Sequence, residues 1–233
     1  MEGIAYEKQR VLILAPHADD ETLGCGGVIQ KYISRQCPVR VVIATFRIKR
    51  SKRYKKDLAA YASYQGNTRM EELKKAMTIL GVSDYPILFL DESDKPAYDS
   101  MLDVMPRATL VDQIEKQIAD FDPTVIYIPS ITKHQDHEAL HRAAVAATRP
   151  YYWNGTVYVY ETDGELDFRP QLYVPLSEDE MTRKMDALKA YQTQVENPRH
   201  PVHAQSLLYK AKFRGNHIYE DYAEAFEVIR LRG

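Results

Sequence analysis

The sequence predicts an α/β fold, a Rossmann-like three-layer sandwich with a mostly parallel sheet between two helical layers. Two observations carry this expectation. Runs such as Val11-Leu12-Ile13-Leu14-Ala15 and Val125-Ile126-Tyr127-Ile128 are apolar at every position, so their strands are covered on both faces, as parallel strands are. Stretches with apolar residues three or four apart separate these runs. Strand–helix alternation with right-handed crossovers builds a doubly wound sheet.

Taken in order, residues 11–15 form the first strand and 21–34 a helix. Residues 39–45 (VRVVIAT) form the second strand. Residues 68–80 place Met70, Leu73, Met77 and Leu80 on one helical face, and Gly81 is a stop signal. Residues 87–90 read as a third strand. Residues 108–119 are a helix carrying Leu110, Ile114 and Ile118 at steps of four. A fourth strand at 124–128, a helix at 136–148 and a fifth strand at 156–160 follow. The tail from 176 adds a helix at 179–194, a strand at 206–209 and a final helix at 222–230. The chain of 233 residues, 45% hydrophobic, suits a single domain over 1–233, with a core at 9–195 and a C-terminal extension at 196–233.

A formal net charge of -2 gives no global attraction to nucleic acid. No apolar run reaches the roughly 20 residues that span a bilayer. The first ten residues lack the apolar stretch of a secretory signal, so a cytoplasmic protein is expected. Cys25 and Cys37 fit neither a redox nor a zinc spacing and read as reduced thiols. Nothing in the sequence sets an oligomeric state.

In a doubly wound sheet, ligands sit beyond the carboxyl ends of the strands. Two dense groups of imidazoles and carboxylates stand at such ends. Pro16-His17-Ala18-Asp19-Asp20-Glu21 follows the first strand, and His134-Gln135-Asp136-His137 follows the fourth by a few residues. Hydrolytic zinc keeps three nitrogen and oxygen ligands and one open position. His17 and Asp20, three residues apart on a strand-to-helix turn, can meet on one ion, and His137 is the candidate third ligand. Asp19 is then placed to accept a proton from water, and His134, held by Asp136, to donate to an oxyanion. The chemistry expected is metal-assisted amide hydrolysis. The plainer reading is that Asp19, Asp20, His134 and Asp136 cap helices.

These two motifs, PHADDE at 16–21 and HQDH at 134–137, resemble those of the PIG-L/LmbE-like deacetylases. The likeness covers most of the chain to about residue 194. It implies a Rossmann-like fold, a divalent metal, usually zinc, and removal of N-acetyl groups from small glucosamine-containing substrates. By this resemblance His17, Asp20 and His137 are metal ligands, Asp19 is the general base, and His134 stabilises the oxyanion, oriented by Asp136. Arg69 is similar to a family arginine that contacts the sugar; the competing reading is a surface helix arginine. Gln135 stands where many members have proline.

Gly24-Cys25-Gly26-Gly27 is not a dinucleotide fingerprint; its glycines let a helix pack closely. Residues 47–56 hold seven Lys and Arg, read as a flap attracting an anionic group on the substrate, as nonspecific contact with nucleic acid or anionic lipid, or as a solvated loop. Tyr151-Tyr152-Trp153 reads as packing, with a sugar-stacking role as the alternative. Two further activities suit the same residues. One is an amidase for another small N-acyl compound. The other is a non-haem iron enzyme, because two histidines and a carboxylate also hold Fe2+.

Overall fold

The computed structural model describes residues 6–45, 66–89, 102–162, 164, 167–195 and 203–232. The basic segment at 47–56 and Leu90 lie outside the described residues. The elements, in chain order, are β1 (Val11–Ala15), α1 (Asp20–Ser34), β2 (Val39–Ile43), α2 (Gly66–Leu80), α3 (Arg107–Phe121), β3 (Val125–Pro129), α4 (Gln135–Ala147) and β4 (Thr156–Tyr160). They continue with β5 (Leu172–Pro175), α5 (Glu178–Ala190), α6 (Gln192–Val195), α7 (Ala204–Asn216) and β6 (Ala223–Arg230).

The sheet runs β2-β1-β3-β4-β6-β5. The first four strands are parallel, and β6 runs antiparallel to both β4 and β5. All five residues of β1 are fully buried, because alternate side chains leave a strand on opposite faces. Val11, Ile13 and Ala15 join a core roofed by α1, α2 and α5. Leu12 and Leu14 join a second core under α3 and α4. The three-layer α/β sandwich with a mostly parallel sheet is therefore present. The chain goes to one side of β1 for β2 and to the other for β3, so a crevice opens between β1 and β3.

Three expected elements differ. Residues 222–230 form the strand β6, not a helix. Residues 206–209 lie inside α7, not in a strand. Among the described residues of the strand expected at 87–90 there is an isolated parallel bridge, Ile43 with Ile87, and a second bridge joins Arg40 and Asp84 just before it. Pro86 accepts from Ile43 N–H but has no N–H of its own to extend a ladder. The strand β5 was not expected at all.

The helix α1 is tied to the sheet by a buried ion pair. Lys184 Nζ on α5 donates to Glu224 Oε1 at 2.6 Å and to Leu23 O at 2.9 Å. The Glu224 carboxylate on β6 also accepts Gly27 N–H at 2.6 Å and Val28 N–H at 2.8 Å, halfway along α1. Such an approach needs glycine: a Cβ at Gly27 would run into Leu176 and the Glu224 carboxyl carbon. Breaking a buried pair from one side leaves a charge without compensation. Lys184→Met is expected to destabilise the fold by about 3–5 kcal/mol, measured by urea denaturation, and Glu224→Gln in the same chain to recover part of that loss.

Candidate functional site

β1 and β3 lie side by side, with Val11, Leu12 and Ile13 opposite Val125, Ile126 and Tyr127. The segments that follow them therefore open onto the same crevice. His17 N–H donates to Asp20 Oδ2 at 3.1 Å, which closes the turn into α1. Asp20 Oδ2 lies 3.4 Å from His17 Nδ1 and 3.3 Å from His137 Nε2. One ligand atom from each of His17, Asp20 and His137 falls within 4.8 Å of the others, and all three residues are buried.

This donor set fits a divalent cation. Two ligands about 2.05 Å from one tetrahedral ion stand about 3.3 Å apart. Both separations at Asp20 match that edge, and the N, O, N chemistry is that of hydrolytic metal sites. A second trio, His17, His134 and Asp136, also falls within 4.8 Å, but it shares His17 with the first. His17 turns Nε2 to Asp136 Oδ2 at 3.0 Å, the pattern by which a carboxylate orients a ligand imidazole.

Asp136 thus meets His17 through its carboxylate, while Leu102 N–H donates to its other oxygen at 3.1 Å. What reaches His134 is the backbone: Asp136 N–H donates to His134 Nδ1 at 3.2 Å. The expected helix cap is real at His134. It also fixes the tautomer, because an accepting Nδ1 puts the ring proton on Nε2. The His134 ring stands edge-on to His17, centroids 4.9 Å apart.

Asp19 precedes α1 but makes no side-chain cap. Its backbone φ is 137°, a conformation that side-chain-bearing residues rarely adopt. Glu21 Oε2 accepts Asp19 N–H at 2.9 Å and helps hold it there. Glu21 is itself fully buried and accepts from Tyr191 Oη at 2.6 Å. Arg69 is buried beside Asp19, not on the surface. Its Nη2 donates to Ala18 O at 2.7 Å and lies 3.9 Å from Asp19 Oδ2. Its Nε and Nη1 have no hydrogen-bond partner among the described residues.

Electrostatics separate the two adjacent aspartates. Burial and the Asp20 charge push Asp19 well above the usual carboxylate range, although Arg69 opposes this. Burial would also raise Asp20, but His137 and His17 outweigh it and hold Asp20 far below that range. At His17 burial disfavours the charged ring, yet the bonds to Asp136 and Asp20 win and raise it from 6.5 to about 9.

The aromatic cluster falls outside the crevice. Tyr151, Tyr152 and Trp153 follow the far end of the 13-residue α4, about 20 Å from its His137 end. Trp153 Nε1 donates to Pro123 O at 2.9 Å, a packing role. The contributions of Glu21 and Tyr191 were missed. Glu21 carried a signal, as a charge amid the buried start of a helix; Tyr191 carried none.

Fold and donor set define a class: a doubly wound α/β protein with a His-Asp-His group fit for a divalent cation at its switch point. The chain belongs to the PIG-L family, described as GlcNAc-PI de-N-acetylase, whose model matches residues 12–148. It is 26% identical over 199 residues to a protein of Escherichia coli K12 named uncharacterized deacetylase YaiS, covering 81% of this chain and 94% of that one. It is 26% identical over 193 residues to the probable N-acetyl-alpha-D-glucosaminyl L-malate deacetylase 2 of Bacillus anthracis, covering 80% and 82%. The fold matches that of a conserved protein of Thermus thermophilus, with a TM-score of 0.75, 22% identity and coverage of 97% and 96%. No helix among the described residues is long and apolar enough to cross a membrane.

The raised His17 value has a testable sign. Protonated His17 contributes stability that is fully present below 6.5 and is lost as pH rises through about 9. In the cation-free chain the melting temperature is expected to fall across that window, and His17→Gln to make the fall shallower. A cation needs the neutral ring, so loading it near neutral pH is expected to release protons. Calorimetry in two buffers of different ionisation enthalpy checks this.

Proposed function

We propose that this chain is a zinc-dependent hydrolase that removes the N-acetyl group from a small amino-sugar derivative such as an N-acetylglucosaminide. The observation that carries the reading is the placing of His17 and His137 nitrogens 3.4 and 3.3 Å from Asp20 Oδ2, with a second, differently tuned carboxylate, Asp19, beside them. Asp19, a carboxylate beside these donors and not one of them, suits hydrolysis, which favours zinc over an iron triad. The names of the relatives support an amide on an amino sugar.

His17, Asp20 and His137 would hold the ion. A divalent cation there polarises an acyl carbonyl and acidifies water. Asp19 takes the proton of the attacking water and later gives one to the leaving nitrogen. Burial and the Asp20 charge raise its affinity for that proton. The C–N bond breaks, and acetate and a free amine leave. His134 donates from Nε2 to the oxyanion as charge develops, and Asp136 keeps His17 aimed. Arg69 offers buried donors to substrate oxygens next to Asp19.

The test is a panel of N-acetylated sugars and simple N-acyl amines, assayed with zinc for released amine. Turnover confined to simple amides would sink the sugar assignment. Bound iron with oxygen-dependent turnover would replace hydrolysis by oxygenation. Asp19→Asn is expected to keep the cation and lose about a hundredfold or more in kcat; near-full activity would remove Asp19 from the mechanism.

A further inference from the structure

His137 presents Nε2 to Asp20. Its other nitrogen, Nδ1, lies 3.4 Å from Thr162 Oγ1. Thr162 is buried, two residues past the end of β4. Its hydroxyl is also 3.0 Å from Ser130 Oγ, and its N–H donates to that oxygen at 3.3 Å. Ser130 follows β3, and its own N–H donates to Tyr160 O at 2.9 Å. The ends of β3 and β4 are thus laced together around one hydroxyl.

The same two residues at the end of β4 are gripped from the C-terminal helix. Lys210 and Arg214 stand one turn apart on α7 and so share a face. Lys210 Nζ donates to Thr162 O at 2.8 Å. Arg214 Nε and Nη2 donate to the two oxygens of buried Glu161 at 2.9 and 2.7 Å, a bidentate pair with strong directional preference.

We infer that Thr162 is a positioning residue for His137, and that α7 holds it in place. A neutral imidazole carries one proton, and the protonated nitrogen cannot bind a cation. Were that proton on Nε2, His137 would donate to Asp20 and cease to be a ligand. In this assignment the Thr162 hydroxyl, within reach of both Ser130 Oγ and His137 Nδ1, donates to the first and accepts Nδ1–H from the second, the arrangement that leaves the Nε2 lone pair facing Asp20. Threonine suits the task because its branched Cβ restricts χ1. The tail of the chain therefore reaches the site through one backbone carbonyl and one hydroxyl. This rests on the cation-site reading above, but not on the identity of the substrate.

Thr162→Val removes the hydroxyl and keeps the shape. Its affinity for zinc, measured by chelator competition, is expected to fall about ten- to a hundredfold, and Thr162→Ser to restore it. Equal affinity in Thr162→Val and wild type overturns the assignment while leaving the cation site intact. A wild type that holds no zinc overturns both. In the zinc-loaded wild type the His137 Nδ1 proton decides the matter even if Thr162→Val does not fold: a downfield resonance protected from exchange with water is expected, and one that exchanges like that of a free imidazole overturns the assignment. Arg214→Gln is expected to weaken zinc binding in the wild-type background and to add nothing to Thr162→Val. The same loss in both backgrounds overturns the role of α7.

Discussion

A carboxylate taken out of water stays ionised only where charge or hydrogen-bond donors replace the solvent. At Asp20, 4% exposed, the replacement comes from two places. One is its own turn, which contributes the His17 N–H and ring. The other is the neighbouring strand, which delivers His137. Neither alone makes a site. The register that sets Val11 against Val125 is what brings an imidazole from residue 137 to a carboxylate at residue 20. Sheet order is therefore as much a part of the chemistry as the side chains.

The helix that begins at Asp20 must also keep its angle, and buried polar groups fix it. Glu21, held by Tyr191 and Thr22, anchors its first turn. Glu224 and Lys184 grip its middle. Buried ion pairs add little net stability against an apolar replacement, so their contribution is better understood as geometric. A helix packed by apolar contacts alone can rock; one whose N–H groups are claimed by a fixed carboxylate cannot. Arg69 extends this pattern towards Asp19.

The first four strands were legible because β1 and β3 are unbroken apolar runs and β2 and β4 depart from that only at Arg40 and Thr156, the pattern of a strand covered on both faces. The helices between them showed their faces for the same reason. The end of the chain was not legible. In residues 222–230, Tyr222, Phe226 and Ile229 recur at helical spacing, and Glu224 resembles the polar side of a helix. It is instead buried in a strand, compensated by Lys184 far off in sequence. Residues 206–209 show the usual ambiguity of a short apolar run. At the site, the paired motifs and their place after strands made His17, Asp20 and His137 visible as partners. The partner of the Asp136 carboxylate was not visible, because proximity in sequence pointed to His134 while side-chain direction takes the carboxylate to His17. Arg69 was ambiguous for a similar reason: its burial depends on how α2 packs, not on its neighbours in the chain.

The backbone at Asp19 has a consequence for how such a protein can be improved. A side-chain-bearing residue held at φ 137° costs about 1–3 kcal/mol, and glycine would relieve much of it. Selection for heat resistance alone would therefore drift towards glycine at this position and erase the carboxylate beside Arg69. On the role proposed for Asp19, thermal robustness and turnover pull in opposite directions at one residue, and a library screened only for survival would enrich well-folded, inert chains.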